Sequence, residues 1–509
     1  MSVSLLVALA ALAVALVAYV RGRARLPYPP GPKPWPVLGN VTDVRANEFW
    51  LAATDWAKEH GEIVYLHIAG QGLVFLNSIR VATELMDKRG AIYSDRAPLV
   101  MAGELCGAGD MVAFTRYGPV SRRQRRLMSL GLSKASIPAY HPLIASSTRP
   151  FLRNVLASPD DFVGAVRRYA GGLNLNVVYG LEVTRNDDPY LMKVEGATDL
   201  LANHITSGGG IWAVDILPFL KHLPDWLPGA GFKRKAAIWK KEIFESVDFP
   251  YNAVKANIAT GTAVPSFCST LLQQPDGLSE LDEFDVKWTA NSMYAASMDT
   301  TITTAQHFLL AMLAYPEHLK RAQAEIDSAL GSGPGRLPTF EDRPMLPFVE
   351  AVFAETMRWA VPVPLALPHR LTEDDVFEGK LIPKGSLIFA NVWAMLRDPE
   401  VYPEPDVFNP ERFLEKVDDA TARLRDPRGY VFGFGRRKCP GAHLVESSVW
   451  LLFAAMLATL DISPAVDAEG HPRHPVPVFD NSVFRTPNPF GVTLRPRSEQ
   501  ARRLIEDDT

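Results

Sequence analysis

Phe432-Gly433-Phe434-Gly435-Arg436-Arg437-Lys438-Cys439-Pro440-Gly441 is the stretch on which the reading of this chain turns. Gly433, Gly435 and Gly441 free the backbone for tight turns close to a flat object. Cys439 stands just ahead of a helical pattern, Ala442 to Leu457, so its thiol faces a helix N-terminus whose amides favour the thiolate. Arg437 and Lys438 add positive charge, and Phe432 supplies an aromatic cover. A thiolate so placed suits a haem iron with anionic propionates. The competing reading is a buried structural cysteine, the commoner fate of this residue. The other cysteines, Cys106 and Cys268, are distant in sequence. With an odd count and no C-x-x-C pair, neither a disulfide framework nor a structural zinc site is supported.

Outward from this stretch the chain is ordinary. Its 509 residues are 47% hydrophobic and 22% charged, with a net charge of -4. Neither a disordered polyelectrolyte nor a generally basic nucleic-acid binder has that balance. At about 150 residues per domain the length suggests roughly three domains, but no internal repeat or second folded unit is visible. The 41 prolines are scattered, which excludes collagen and polyproline arrays. Helix-like periods dominate from about residue 44 to 270, with a short strand pair at Ile63–Ile68 and Leu73–Leu76 split by Gly70 and Gly72. Asp285 to Tyr315 lacks Pro and Gly and predicts one helix about 46 Å long. Its centre is odd, because Ser297, Asp299, Thr300, Thr301, Thr303 and Thr304 are poor helix formers on an apolar rod. Phe348–Trp359 predicts another helix. Beyond it the pattern is loop- and strand-rich until a last helix ending near Leu457. Gly331–Gly335 reads as a proline-bearing turn rather than a phosphate cradle, and no P-loop, GxSxG or HExxH occurs. The fold class is mainly α with small β-sheets.

The pattern F-x-x-G-x-R-x-C-x-G, carried by Phe432, Gly435, Arg437, Cys439 and Gly441, resembles the haem-binding signature of the cytochrome P-450 family. Chance would produce its five fixed positions in about one such chain in ten thousand, which removes the structural-cysteine reading. Glu-x-x-Arg is weaker, since it occurs at Glu182/Arg185, Glu355/Arg358 and Glu499/Arg502. Only Glu355/Arg358 falls in a predicted helix, where i and i+3 share a face. With Pro410-Glu411-Arg412-Phe413 it resembles the family's ExxR and PERF elements. The resemblance implies one buried charge network of Glu355, Arg358 and Arg412, with backbone carbonyls satisfying the surplus arginine. Ala296-Ser297-Met298-Asp299-Thr300-Thr301 resembles the AGxDTT motif, which implies that Asp299 and Thr300 relay protons in dioxygen activation. Ser297 departs from the usual glycine.

Further roles follow from the same resemblance, which covers Pro29 to about Arg497 and looks like the membrane-bound fungal branch. Arg125, His369 and Arg96 are implied to hold propionates of haem b (iron protoporphyrin IX), with Arg370 as an alternative to His369. Arg125 sits in a helix resembling the family's WxxxR element, but Ser121 replaces the tryptophan. Above the haem the resemblance places Leu99, Val100, Met111, Phe114, Ala295, Ala296, Val363, Leu365 and Phe484, all apolar, which points to a lipophilic small molecule. No flavin or nicotinamide site is visible. NADPH electrons are therefore expected through NADPH-cytochrome P-450 reductase, with cytochrome b5 as a further donor. Arg122, Arg123, Arg125, Arg126, Arg436 and Lys438 would form the basic docking face. These arginines do not suggest nucleic acid, because no reading helix accompanies them. A monooxygenase leads; a haem-thiolate isomerase, dehydratase or desaturase, and a haem-binding sensor without turnover, are the rivals.

Met1 to Val20 has no ionisable side chain and is long enough, at about 30 Å as helix, to cross a bilayer. Arg21, Arg23 and Arg25 follow it and no Lys or Arg precedes it, which predicts an uncleaved transmembrane anchor with the remaining chain cytoplasmic. A cleaved signal peptide is the rival, supported by Ala13 and Ala15 but lacking a positive leading segment. Residues 21–40 form a basic, proline-rich hinge and 41–509 the haem-thiolate catalytic domain. The expected location is the endoplasmic reticulum membrane, single-pass. On this topology the sequon at Asn40-Val41-Thr42 is expected to stay unmodified.

Overall fold

Thirteen consecutive residues, Thr301 to Leu313, are buried on every side, and the rest of the molecule is arranged around them. The computed structural model describes residues 26–506 apart from 44–47, 69, 184, 186, 207–211, 276, 332–334, 468, 476–477 and 482. The expected anchor, Arg21–Arg25 and part of the Gly331–Gly335 turn lie outside the described residues.

The elements that matter to the site are β1 (Ile63–Ile68), β2 (Gln71–Leu76), α1 (Pro119–Leu132), α2 (Phe162–Tyr179), α3 (Pro189–Asp199) and α4 (Gly231–Thr260). They are followed by α5 (Glu280–Ala295), α6 (Met298–Ala314), α7 (Pro347–Trp359), β3 (His369–Arg370), β4 (Leu387–Ala390), α8 (Ala442–Thr459) and α9 (Glu499–Glu506). The architecture is mainly helical with small sheets. α8 has the length and composition of a membrane span, yet 83% of it is buried within the protein. It is a core helix, stacked on α6 through Phe308 and Phe453 with ring centroids 4.0 Å apart.

One four-stranded sheet runs β1-β2-β4-β3. β1 and β2 are antiparallel, with Leu66 opposite Leu73; β2 and β4 are parallel, with Val74 opposite Ile388. β3 pairs antiparallel with β4, His369 opposite Ile388. Asp95 bridges to Arg370 on the outer side of β3, so Asp95, Arg96 and His369 meet at one sheet edge.

Three expectations need correction. The single helix over Asp285–Tyr315 is two helices, α5 and α6, separated at Ala296-Ser297. Ser297 Oγ and its amide both bond to Tyr294 O, at 2.7 and 3.1 Å, and this local bonding competes with the helical ladder. The last helix is not the one ending near Leu457, because α9 follows the terminal strands. Glu499/Arg502 therefore also lies in a helix, so helical context alone did not single out Glu355/Arg358.

The proline-rich stretch Pro27–Asn40 lies against the body. Tyr65 N donates to Pro30 O at 2.9 Å, Leu381 N to Pro27 O at 2.8 Å, and Tyr28 stacks on Tyr65. Asn40 is buried. Its amide donates to Pro32 O and Asp43 Oδ2 and accepts from His67 N, each at 3.0 Å, which leaves no room for a glycan in the folded chain.

Candidate active site

Cys439 is held by a loop folded back on itself: its amide donates to Phe432 O at 2.7 Å. Phe432 is half-buried beside it. Gly435 takes φ 59°, and a Cβ there would lie 2.1 Å from Met86 O, so only glycine fits. A Cβ on Gly441 would sit 3.8 Å from Cys439 Sγ, in ordinary van der Waals contact, so Gly441 is the glycine beside the sulfur. Cys439 is accessible although protein surrounds it on all sides, whereas Cys106 and Cys268 are buried. An accessible sulfur deep in the molecule faces an internal cleft.

The thiol's electrostatics differ from the expectation. Burial pushes its pKa up, and this outweighs the Gly441 and Ala442 amides and the charges of Arg125 and Lys438 that pull it down. The free thiol is therefore protonated at neutral pH, and a bound metal must complete the thiolate. Arg437 does not serve the sulfur. Its guanidinium donates to Ser94 O, Val112 O and Thr115 O at 2.9, 3.2 and 2.7 Å.

Arg437 belongs instead to a cluster with Arg96, Arg125 and His369. Arg96 Nη1 donates to Leu367 O and Pro368 O at 2.6 and 2.7 Å, and its buried Nε has no hydrogen-bond partner among the described residues. Arg125 Nη2 donates to Lys438 O at 2.6 Å. His369 Nδ1 lies 2.7 Å from Tyr93 O, so that nitrogen carries the proton. Burial, then Arg437 and Arg125, hold Arg96 down to about 9; burial and Arg125 hold Arg437 down to about 10. His369 falls well below the usual histidine range through burial and the same arginines. Asp95, the neighbouring carboxylate, is already committed: Arg116 Nε donates to its two oxygens at 2.8 and 2.9 Å, and Tyr117 N donates at 2.9 Å. Clustered positive charge without a counter-charge is costly and suits a dianion. The residues present fit haem: a thiol in the cleft, glycines where a plane must approach, and a cradle for two propionates. Arg370 sits at the same edge, 3.9 Å from Asp95.

Behind this site Glu355, Arg358 and Arg412 come together. Arg358 grips Glu355 through two bonds of 2.7 Å, and Arg412 Nε reaches Glu355 Oε1 at 3.3 Å. Asn409 N donates to the same Oε1 at 2.8 Å. The surplus guanidinium hydrogens go to carbonyls: Leu396, Pro405 and Val407 from Arg358, and Pro403, Glu404 and Val407 from Arg412.

At the α5–α6 break Ala296 is exposed although it lies mid-molecule, so it lines the cleft; Asp299 and Thr300 are half-buried. Thr300 Oγ1 donates to Ala296 O at 3.2 Å, leaving its lone pairs free to accept. Asp299 makes no hydrogen bond or ion pair among the described residues, and burial with the nearby Asp199 raises its pKa. Leu99, Phe114, Val363 and Phe484 are half-buried, while Val100, Met111 and Ala295 are buried. Leu365 packs on the two smaller hydrophobic clusters. Ser121 is buried with its hydroxyl unpartnered among the described residues, so it does not open to the cleft as Arg125 does. Arg122, Arg126, Arg436 and Lys438 are exposed, while Arg123 is tied to Asp285 at 2.5 Å. Sequence reasoning missed the carbonyl acceptors of Arg96 and Arg437, because a carbonyl has no side-chain signature; for the Glu355 network it expected carbonyl acceptors without saying which. It also missed the Asp95–Arg116 pair, whose one trace is the Asp preceding Arg96.

Comparison with known proteins agrees with this geometry. The family model "Cytochrome P450" matches residues 29–493. Cytochrome P450 monooxygenase claT of Ampulloclitocybe clavipes is 40% identical over 490 residues, covering 96% of this chain and 95% of the relative. Cytochrome P450 monooxygenase 208 of Postia placenta is 40% identical over 502 residues, covering 97% and 96%. Tryptamine 4-monooxygenase of Psilocybe cyanescens is 37% identical over 487 residues, covering 95% of each. The chain belongs to the cytochrome P450 family, and it is an enzyme of the monooxygenase class with a haem held by a cysteine thiolate.

Proposed function

We propose that this enzyme inserts one atom of dioxygen into a lipophilic small molecule of fungal secondary metabolism or detoxification, with electrons from NADPH through a separate flavoprotein reductase. The observation that carries the reading is the accessible Cys439 thiol facing an internal cleft with an uncompensated cation cradle at its edge. Haem, when bound, supplies the reductive activation of dioxygen. Cys439 would be its metal ligand, Arg96, Arg125 and Arg437 would hold its propionates, and His369 would join them once the dianion draws a second proton onto Nε2. Phe432, Gly435 and Gly441 shape the loop that presents the sulfur. Glu355, Arg358 and Arg412 keep the segment behind that loop in place.

Burial raises the pKa of Asp299, which suits it to giving up a proton, and Thr300 Oγ1 keeps lone pairs free to accept a hydrogen bond at the cleft. The apolar walls exclude bulk water, so this pair governs proton supply. Arg122, Arg126, Arg436 and Lys438 offer a basic face to an acidic flavoprotein. Residues 1–20 anchor the chain in the endoplasmic reticulum membrane with the catalytic domain on the cytoplasmic side. Exposed apolar side chains close in sequence to that segment, Val37 at 90% and Leu38 and Trp35 with it, support a lipid-facing side.

The test is oxygen labelling. NADPH, reductase and labelled dioxygen should yield a product carrying one labelled atom, and Cys439→Ser should remove both the product and the red-shifted ferrous carbonyl Soret band. A turnover product without label would favour isomerisation, dehydration or desaturation. Haem binding without any turnover would favour a sensor.

A further inference from the structure

Residues 96–115 form an arch fixed at both ends to the cation cradle. At one end Arg96 bonds to Leu367 O and Pro368 O. At the other, Val112 O and Thr115 O accept from Arg437, and Val112 N donates to Ser292 Oγ at 3.0 Å. The crest between them, Val100–Leu105, is one turn of π-helix closed by Cys106 N donating to Met101 O at 2.9 Å. Such a turn is rare. Its leading amides have no acceptor within the turn, so something outside must supply one.

Asp215, in the short helix Ala213–Ile216, supplies it. Its Oδ1 accepts from Met101 N at 2.9 Å, and the Val100 amide beside it helps hold the carboxylate charged against burial. A second tie lies further out, where Lys221 Nζ pairs with Glu104 Oε2 at 2.5 Å. Among the described residues these are the crest's polar bonds to another element. Glu104 is 52% exposed, so that outer pair is solvent-screened and weak. The Asp215 carboxylate is better shielded and accepts charge-assisted bonds, which are the stronger kind. The crest also packs on α4, where a Cβ at Gly107 would strike Phe244. Packing limits sideways movement, but the amide bonds fix the height of the crest.

We propose that Asp215 is a positioning residue for the substrate cleft: its carboxylate sets where the crest bearing Val100 stands, and so which lipophilic molecules fit. The inference rests on the reading of Leu99, half-buried at the foot of the crest, as cleft wall with the buried Val100 behind it, and of Cys439 as the haem ligand. A residue of this kind acts through the backbone it holds, not by touching the reacting atoms.

The experiment uses the full-length holoenzyme and a series of 1-alkylimidazoles of increasing chain length, followed by the haem absorbance shift. In Asp215→Ala the ratio of affinities for short and long chains should fall about ten-fold, and association should speed up by about as much. Glu104→Gln should change either quantity by about two-fold at most. Asp215→Asn preserves size and weakens the acceptor. It should give a change of about three-fold together with faster hydrogen exchange at the Met101 amide. Wild-type selectivity in folded, haem-loaded Asp215→Ala would overturn the proposal. If Asp215→Ala does not accumulate, unchanged selectivity and exchange in Asp215→Asn would overturn it instead. A merely structural role would lower the melting temperature without altering the size ratio. Absence of any absorbance shift in the wild type would overturn the haem reading, a result distinct from either.

Discussion

Glu355/Arg358 on α7 and Glu499/Arg502 on α9 are the same sequence event in two places. Each sets a glutamate three residues ahead of an arginine on one helical face. On α7 both side chains are fully buried and joined by two bonds of 2.7 Å. On α9 they are 80% and 47% exposed and approach to 3.8 Å. Spacing makes a pair possible, and the surroundings decide its worth. Water screens the exposed pair to a few tenths of a kcal/mol. The buried pair is costly to break because either survivor would be an uncompensated charge.

The contrast is broken most directly at Glu355. Glu355→Ala should destabilise the chain by about 3–5 kcal/mol and abolish recovery of haem-loaded protein, measured by urea unfolding and the haem-to-protein ratio. A mild effect there would put the two pairs in one class. Burial can be probed independently at His307, which is fully buried and whose pKa burial holds down to about 3. Because the unfolded chain takes up that proton near pH 6.5, the neutral form's stability contribution is present above 6.5 and lost as pH falls. Between pH 6.5 and 5 the loss should be about 2 kcal/mol, and His307→Gln should flatten that slope in unfolding curves.

A smaller effect, on product yield rather than stability, is expected at Thr300. Thr300→Ala should retain haem and NADPH consumption while lowering the product-to-NADPH ratio by about ten-fold in favour of peroxide. Should coupling persist, adding Ser297→Gly tells whether Ser297 has replaced the hydroxyl: coupling lost only in the double variant assigns the role to Ser297. Last comes the exposed pair. Glu499→Gln should shift unfolding free energy by less than about 0.5 kcal/mol, which the same urea curves would show.

Legibility followed the same division. The loop around Cys439 was readable because an unusual set of residue types at fixed spacing admits few structures. The helix at Phe348–Trp359 and the strand pair at Ile63 and Leu73 were readable from periodicity, and the structure shifts their ends by only a residue or two. The break at Ala296-Ser297 was not: serine is tolerated within helices, and only its bonding to Tyr294 O shows that the ladder is interrupted. Arg437 was read only as positive charge near the sulfur, suited to the propionates. The chain's path also sends its guanidinium to the carbonyls of Ser94, Val112 and Thr115, which the residue types do not announce.

By itself, then, the sequence pointed to Cys439 as the proposed metal ligand and determined the helical class and the residue types that meet in the buried Glu355 network. Tertiary structure decided which of two identical Glu–Arg pairs is buried, where each arginine points, and that a carboxylate from Asp215 holds the crest at Val100. The physical reason is range. Ligand chemistry and helical period are written in residues within a turn or two of each other. Burial, and bonds to backbone carbonyls and amides from distant segments, depend on how the whole chain closes, and such backbone atoms are the same at every position.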